Sequence, residues 1–213
     1  MILFENENYL VVDKRPGYLS VPGRFADDAR PSELKEWSLA KGRLWVCHRL
    51  DEEVSGLLLF AKTPEGHRLA NQWFEARQVH KTYEALTEGA PEAPQEFLWK
   101  SRLLRGKKRA FERDYGKPSE TQAKFLETVD GHGLWRIHPL TGRSHQIRFE
   151  LFKHQYPAWG DELYGAKEKF PVAGAIGLRA VELDFSQCDR LPSTGLPLTL
   201  KAVGIREWMA SQK

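Results

Sequence analysis

Six consecutive apolar residues at 56–61 (GLLLFA) set the first limit on how this chain can fold. A run that short cannot cross a bilayer as a helix, which takes about 18 apolar residues or more. It suits a buried strand. A second apolar piece, 44–47, lies just before it, and residues 9–13 (YLVVD) read as a further strand. Pro16, Gly17, Pro22 and Gly23 break the chain after that strand into a turn and an extended stretch. Residues 24–42 read as a mixed polar loop or a short helix. Thr63-Pro64 reads as a helix start, because threonine caps free N–H groups and proline fits the first helical position. Ala70, Trp73, Phe74 and Arg77 follow at helical spacing.

Residues 81–88 alternate again, with Tyr83, Ala85 and Thr87 on one side. Residues 89–119 read as irregular. Segments 123–129 and 134–137 form a hairpin about the turn DGHG. A helix follows Ser144, and 181–185 and 198–202 alternate as strands. The pattern is α+β with much antiparallel pairing, not a βαβ series. Without a repeat or a biased linker, residues 1–213 read as a single domain.

Charge is nearly balanced: 32 Lys and Arg against 29 Asp and Glu give +3 over 213 residues. A nucleic-acid partner would therefore have to be held by one basic face. Cys47 and Cys188 form no CxxC pair, and the seven histidines include no HExxH, so a metal site is not expected. Neither GxGxxG nor GxxxxGK[ST] occurs, which disfavours a dinucleotide or ATP enzyme. The first residues lack the pattern of a signal peptide, and a reducing, cytoplasmic setting is the expectation.

Four features carry candidate chemistry. In residues 47–63 (CHRLDEEVSGLLLFAKT), Arg49 and Asp51 stand two apart, on one side of the chain if it is extended. An arginine beside a carboxylate keeps it ionised and oriented, which suits nucleophile or base work; the alternative is a salt bridge on a solvated turn. Gly56 permits a tight bend into the strand. In residues 138–154 (HPLTGRSHQIRFELFKH), Ser144 can cap a helix beginning at His145. Arg148 and Phe152 then share one helix face, and Arg143 sits near the positive helix end. The competing reading is a surface helix with snorkelling arginines.

The run KSRLLRGKKR at 100–109 holds six cations, Lys100, Arg102, Arg105, Lys107, Lys108 and Arg109, and fits phosphate contact or simply a solvated loop. Tyr83 could stack on a base and offer its hydroxyl to a proton, or be ordinary strand core.

Taken together, HRLDEEVSGLLLFAKT at 48–63, KTYEALTEG at 81–89, and PLTGRSHQIRFEL with PAWGDELYG at 139–165 resemble the RluA-type pseudouridine synthases. ENYLVVDKRPGYLSVPG at 7–23 matches the usual first strand and turn. The resemblance implies the pseudouridine synthase fold, a central mixed, mostly antiparallel sheet flanked by helices and loops. It implies a stand-alone catalytic domain, with no room for the S4-like RNA-binding domain of many relatives. It also implies the reaction: uridine in structured RNA is detached at N1–C1′, turned, and rejoined through C5.

By resemblance Asp51 is the catalytic aspartate, attacking the sugar or the ring or abstracting a sugar proton. Tyr83 is the active-site tyrosine, and Arg148 the arginine that pairs with the aspartate. Arg49 fills the space of the flipped base. His48, Arg143, His145 and Gln146, with Lys107, Lys108 and Arg109, complete the expected RNA contacts. The expected partner is ribosomal or transfer RNA, with no membrane, no metal or organic cofactor, and a monomeric protein.

Three positions depart from the family pattern. Val54 replaces a usual threonine, Ser144 another, and Arg179 stands where relatives commonly place histidine. A catalytically dead RNA-binding module, a pure scaffold, and a glycosidase using Asp51 with Glu52 or Glu53 are the competing classes. The glycosidase is disfavoured because sequence neighbours do not face each other across a sugar.

Overall fold

The computed structural model describes residues 1–23 and 28–212. In chain order its elements are β1 (Ile2–Glu5), β2 (Tyr9–Lys14), α1 (Glu33–Lys41), β3 (Trp45–Val46), β4 (Ser55–Ala61), α2 (Pro64–Glu75), β5 (His80–Glu88), β6 (Gln95–Arg105), β7 (Ala110–Glu112), β8 (Lys117–Val129), β9 (His132–Pro139), α3 (Gln146–Lys153), β10 (Leu178–Asp184), β11 (Thr199–Lys201) and α4 (Ile205–Ala210). This is an α+β fold built on a mostly antiparallel sheet flanked by helices. Of the segment 24–42, the last nine-residue stretch is the expected short helix, α1; residues 24–27 lie outside the described residues.

The chain forms two compact units, Met1–His80 with Ala180–Ala202, and Lys81–Arg179 with Val203–Lys213. In the first, the strands run β1-β2-β4-β10, with β3 added to β4 and β11 to β10. The continuously apolar β4 is buried at all seven positions. Both of its faces are covered. Leu57, Leu59 and Ala61 pack with Tyr9 and Val11 under α2, through Leu69, Ala70 and Trp73. Leu58 and Phe60 pack on the other face with Leu10, Val12, Leu44 and the α1 residues Leu34 and Trp37. Two covered faces explain why this strand shows no polar alternation.

Helix α2 starts as the sequence predicts: the Thr63 side chain accepts the Gly66 N–H, and Pro64 opens the helix. It stops at Glu75, and Arg77 lies beyond it at φ 60°, so Arg77 is not part of the helical face. Gly56 is needed for a different reason than a bend. It lies within β4 at φ 110°, and a Cβ there would sit 2.1 Å from the Ala180 carbonyl oxygen.

In the second unit the order is β5-β9-β8-β6-β7. Its centre is the fully buried Trp135, ringed by Phe97, Trp99, Phe125 and Tyr156 at 5.2–5.7 Å between ring centroids. The Trp135 indole N–H donates to the Thr87 hydroxyl at 2.8 Å. The opposite face is covered by Ile205 and Trp208 of α4, with Leu86, Leu134 and Phe170. The β8–β9 turn places Asp130 and Gly131 at φ 49° and 80°, both in the left-handed region that a two-residue hairpin turn needs.

The expectation that 89–119 is irregular is corrected. The segment holds β6, β7 and the start of β8, and the basic run is strand followed by hairpin tip. Lys100 and Arg102 point outward while Ser101 and Leu103 point in; Lys107, Lys108 and Arg109 are exposed at the tip.

Candidate active site

In the first unit, Asp51 stands on the loop between β3 and β4, half-buried, and the loop is tied down on every side. The Cys47 N–H donates to the Leu59 carbonyl at 3.0 Å. The Leu59 N–H donates to His48 Nε2 at 3.2 Å, and the His48 ring stacks on Phe74 at 4.9 Å. The Ser20 hydroxyl donates to the Leu50 carbonyl at 2.9 Å and accepts the Leu50 N–H at 3.0 Å. Beyond Asp51, the Val54 N–H turns back to the Asp51 carbonyl, and the Gly17 N–H holds the Glu52 carbonyl.

The strongest tie is Lys14, the last residue of β2, opposite Gly56 in the register with β4. Its ammonium, 1% exposed, donates to the carbonyls of Arg15, Glu52 and Val54 at 2.8–2.9 Å. Burial pushes the Lys14 amine down to about 8, while the charges of Glu33, Asp51, Glu53 and Glu52 pull it back up. A carboxylate displayed from so fixed a loop is pre-organised for chemistry. The expected Arg49–Asp51 pair does not form: Arg49 is exposed and makes no ion pair among the described residues. Leu50 turns inward between them, clamped by Ser20, while Arg49 projects to solvent.

In the second unit, Arg148 lies on α3, 1% exposed, and grips Asp161 with two parallel hydrogen bonds, Nε to Oδ2 at 2.7 Å and an Nη to Oδ1 at 2.8 Å. Asp161 is equally buried. The guanidinium carbon also lies 5.4 Å from the Tyr164 ring centre, and Phe152 packs against that same ring, so Arg148 and Phe152 do share a face. Asp161 and Tyr164 belong to the PAWGDELYG segment, to which the sequence reading gave no role. A buried carboxylate 13 residues from its arginine, across a loop, leaves no periodic signal.

Helix α3 begins at Gln146, not His145, and Ser144 makes no cap. His145 holds the cap position at φ 52° without a side-chain cap bond. Gln146 reaches back instead. Its carbonyl oxygen accepts the Arg143 N–H at 2.9 Å and the Thr141 hydroxyl at 2.7 Å, and its amide donates to Glu120 and Thr121 of β8. Gln146 is 3% exposed, so it anchors the turn 141–143, and its amide presents no edge outward. His145 is half-buried against the Tyr164 hydroxyl, at 3.3 Å, and Arg143 donates through Nε to the Pro118 carbonyl at 2.8 Å. Tyr83 is 8% exposed on β5, opposite Ile137 of β9.

Arg179 is fully buried, donates to the Val203 carbonyl at 3.0 Å and lies over the Trp208 ring, so the arginine at this departure from the family pattern ties the last residues of segment 81–179 to the C-terminal helix within the second unit. Among the described residues no three His, Cys, Asp or Glu side chains gather as a metal group would require.

A family model described as RNA pseudouridylate synthase matches residues 8–153. Curated relatives include "Dual-specificity RNA pseudouridine synthase RluA" of Vibrio parahaemolyticus, 37% identical and covering 86% of this chain and 76% of the relative. The protein of that name from Escherichia coli K12 is 30% identical, covering 95% of this chain and 92% of the relative. Among solved structures, "Human RNA Pseudouridylate Synthase Domain Containing 4" superposes with a TM-score of 0.74 at 22% identity, covering 99% of this chain and 90% of the other. At that identity the likeness speaks for the fold.

Proposed function

The chain belongs to the RNA pseudouridylate synthase family and is an RNA-acting isomerase, and from that premise we propose that it converts a specific uridine in ribosomal RNA, transfer RNA or both to pseudouridine through Asp51. The observation that carries the assignment is the clamped loop. Seven hydrogen bonds or more from β2, β4 and the 17–20 turn fix the backbone around one half-buried carboxylate, which holds Asp51 in one position, as attack on a bound nucleotide would need. Under this reading Tyr83 stacks on the target base, Arg148 orients the catalytic carboxylate, and Arg49, exposed and without an ion pair among the described residues, fills the gap left by the flipped nucleotide.

Isomerisation needs no oxidant, reductant or water, so the chemistry calls for no cofactor. The name shared by the relatives, dual-specificity, favours a range wider than one RNA. The protein acts as a cytoplasmic monomer in this proposal; no described helix is long and apolar enough to cross a membrane.

The test is an Asp51→Asn protein assayed for pseudouridine on unmodified ribosomal and transfer RNA transcripts. The wild type is expected to form pseudouridine without changing RNA mass, and the variant to bind the RNA with a rate lowered by about 10³-fold or more. Equal rates in both proteins would refute the role of Asp51.

A further inference from the structure

Lys81 opens the KTYEAL strand and has been given no task so far. It lies two residues before Tyr83 on β5, so the two side chains leave the same face of the strand. The intervening residues confirm the alternation. Thr82 meets His138, and Glu84 meets Arg136 and the Ile205 N–H, on the other face.

The ammonium end reaches the turn before α3: a Cβ built on Gly142 would lie 3.8 Å from Lys81 Nζ. Gly142 is exposed and has no side chain, so at that position the turn puts no side-chain atom over that end of the half-buried lysine. The turn itself is rigid, because Gln146 and Thr141 bind it to β8. Lys81 has no hydrogen bond and no ion pair among the described residues. Burial alone acts on its amine, holding it below the usual lysine range, and no carboxylate compensates. A half-buried cation without a counter-charge is costly, and such cations are normally paired.

We propose that the missing counter-charge is an RNA phosphodiester, and that Lys81 is a substrate-binding residue gripping the backbone beside the nucleotide that stacks on Tyr83. The inference rests on the reading of Tyr83 as the stacking residue. A phosphate fits better than a carboxylate or a base edge. The site offers one point-charge donor at an exposed glycine, without the planar fork or the acceptors that base recognition uses.

The test is RNA binding by the full chain at several salt concentrations, with unmodified transfer and ribosomal RNA transcripts as probes, for wild type, Lys81→Gln and Lys81→Arg. Lys81→Gln is expected to bind roughly tenfold more weakly. Its plot of log affinity against log salt should be shallower by about 0.7–0.9, the share of one phosphate. Lys81→Arg is expected to keep the wild-type slope, which also serves if the glutamine variant fails to fold. A Lys81→Gln slope equal to wild type overturns the proposal, even if affinity falls, because that outcome marks a packing role. A lost slope in the arginine variant overturns it too. A wild type that binds neither RNA overturns the functional reading along with this one, whereas normal binding with an unchanged slope removes only the role of Lys81.

Discussion

At the residue scale, the pair Arg148–Asp161 joins two fully buried charges by parallel hydrogen bonds. Removing one charge of such a pair leaves the other desolvated and uncompensated. Asp161→Asn is expected to cost about 3 kcal/mol or more of unfolding free energy, read as a lower urea midpoint. Glu150, on the next position but one of the same helix, behaves in the opposite sense. Burial holds its carboxyl above the usual range, against the pull of Ser101 and Lys153.

A raised acid pKa means that the folded protein keeps a proton the unfolded chain has lost. Its contribution therefore favours the fold at low pH and is lost as pH rises through the folded value. Glu150→Gln is expected to be more stable than wild type at neutral pH, with the gap closing under acid, measured by denaturant titration across pH. Arg148 was legible in the sequence because HQIR sits in a recognisable segment. Asp161 was not, because a partner across a loop is chosen by tertiary packing.

At the scale of elements, the Asp51 loop shows how a strand register builds a site. Lys14 can reach the Glu52 and Val54 carbonyls because β2 pairs with β4 so that Lys14 faces Gly56. Lys14→Met keeps the bulk but removes the ammonium from three carbonyls, of which that of Glu52 keeps the Gly17 N–H, at about 1–3 kcal/mol for such buried groups. The variant is expected to lose stability by about that amount and, under the role proposed for Asp51, to lose turnover more than RNA affinity, because the loop would hold Asp51 less firmly; kcat and KM measured separately would show it. The polar cluster around Asp51 and the apolar β4 were both visible in the sequence. The clamp was not, since a lysine in a turn sequence gives no sign of which carbonyls it will meet. The basic run hid its strand for a related reason. Six cations mask the alternation of Ser101 and Leu103 that pairing with β8 reveals.

At the scale of the whole molecule, composition and the order of motifs were enough for the fold class and the family. The division into two compact units was not, because it depends on which distant segments return to which core. Both cysteines fall in one of these cores: Cys47 and Cys188 are buried in the same cluster of the first unit. Burial raises both thiols, Cys188 to about 12 and Cys47 further. Thiolate is the reactive form, so neither is expected to react with a thiol reagent until that core opens. Mass spectrometry after timed labelling in rising denaturant should therefore follow the first unit alone, as the second has no cysteine. Rapid labelling without denaturant would contradict this.

The returning segments also set a schedule for synthesis. The first unit's core takes Leu183, Phe185, Leu196 and Leu200 from residues made after all of 81–179, and the second takes Ile205 and Trp208 from later still. Neither unit can be completed while the ribosome is still making the middle of the chain, so the N-terminal part cannot finish folding first, as it usually does. The nascent β2 and β4 have α1 and α2 at hand, but the core under α2 lacks Leu183, Phe185, Leu196 and Leu200 until the end, and a chain released after Arg179 would leave both units unfinished.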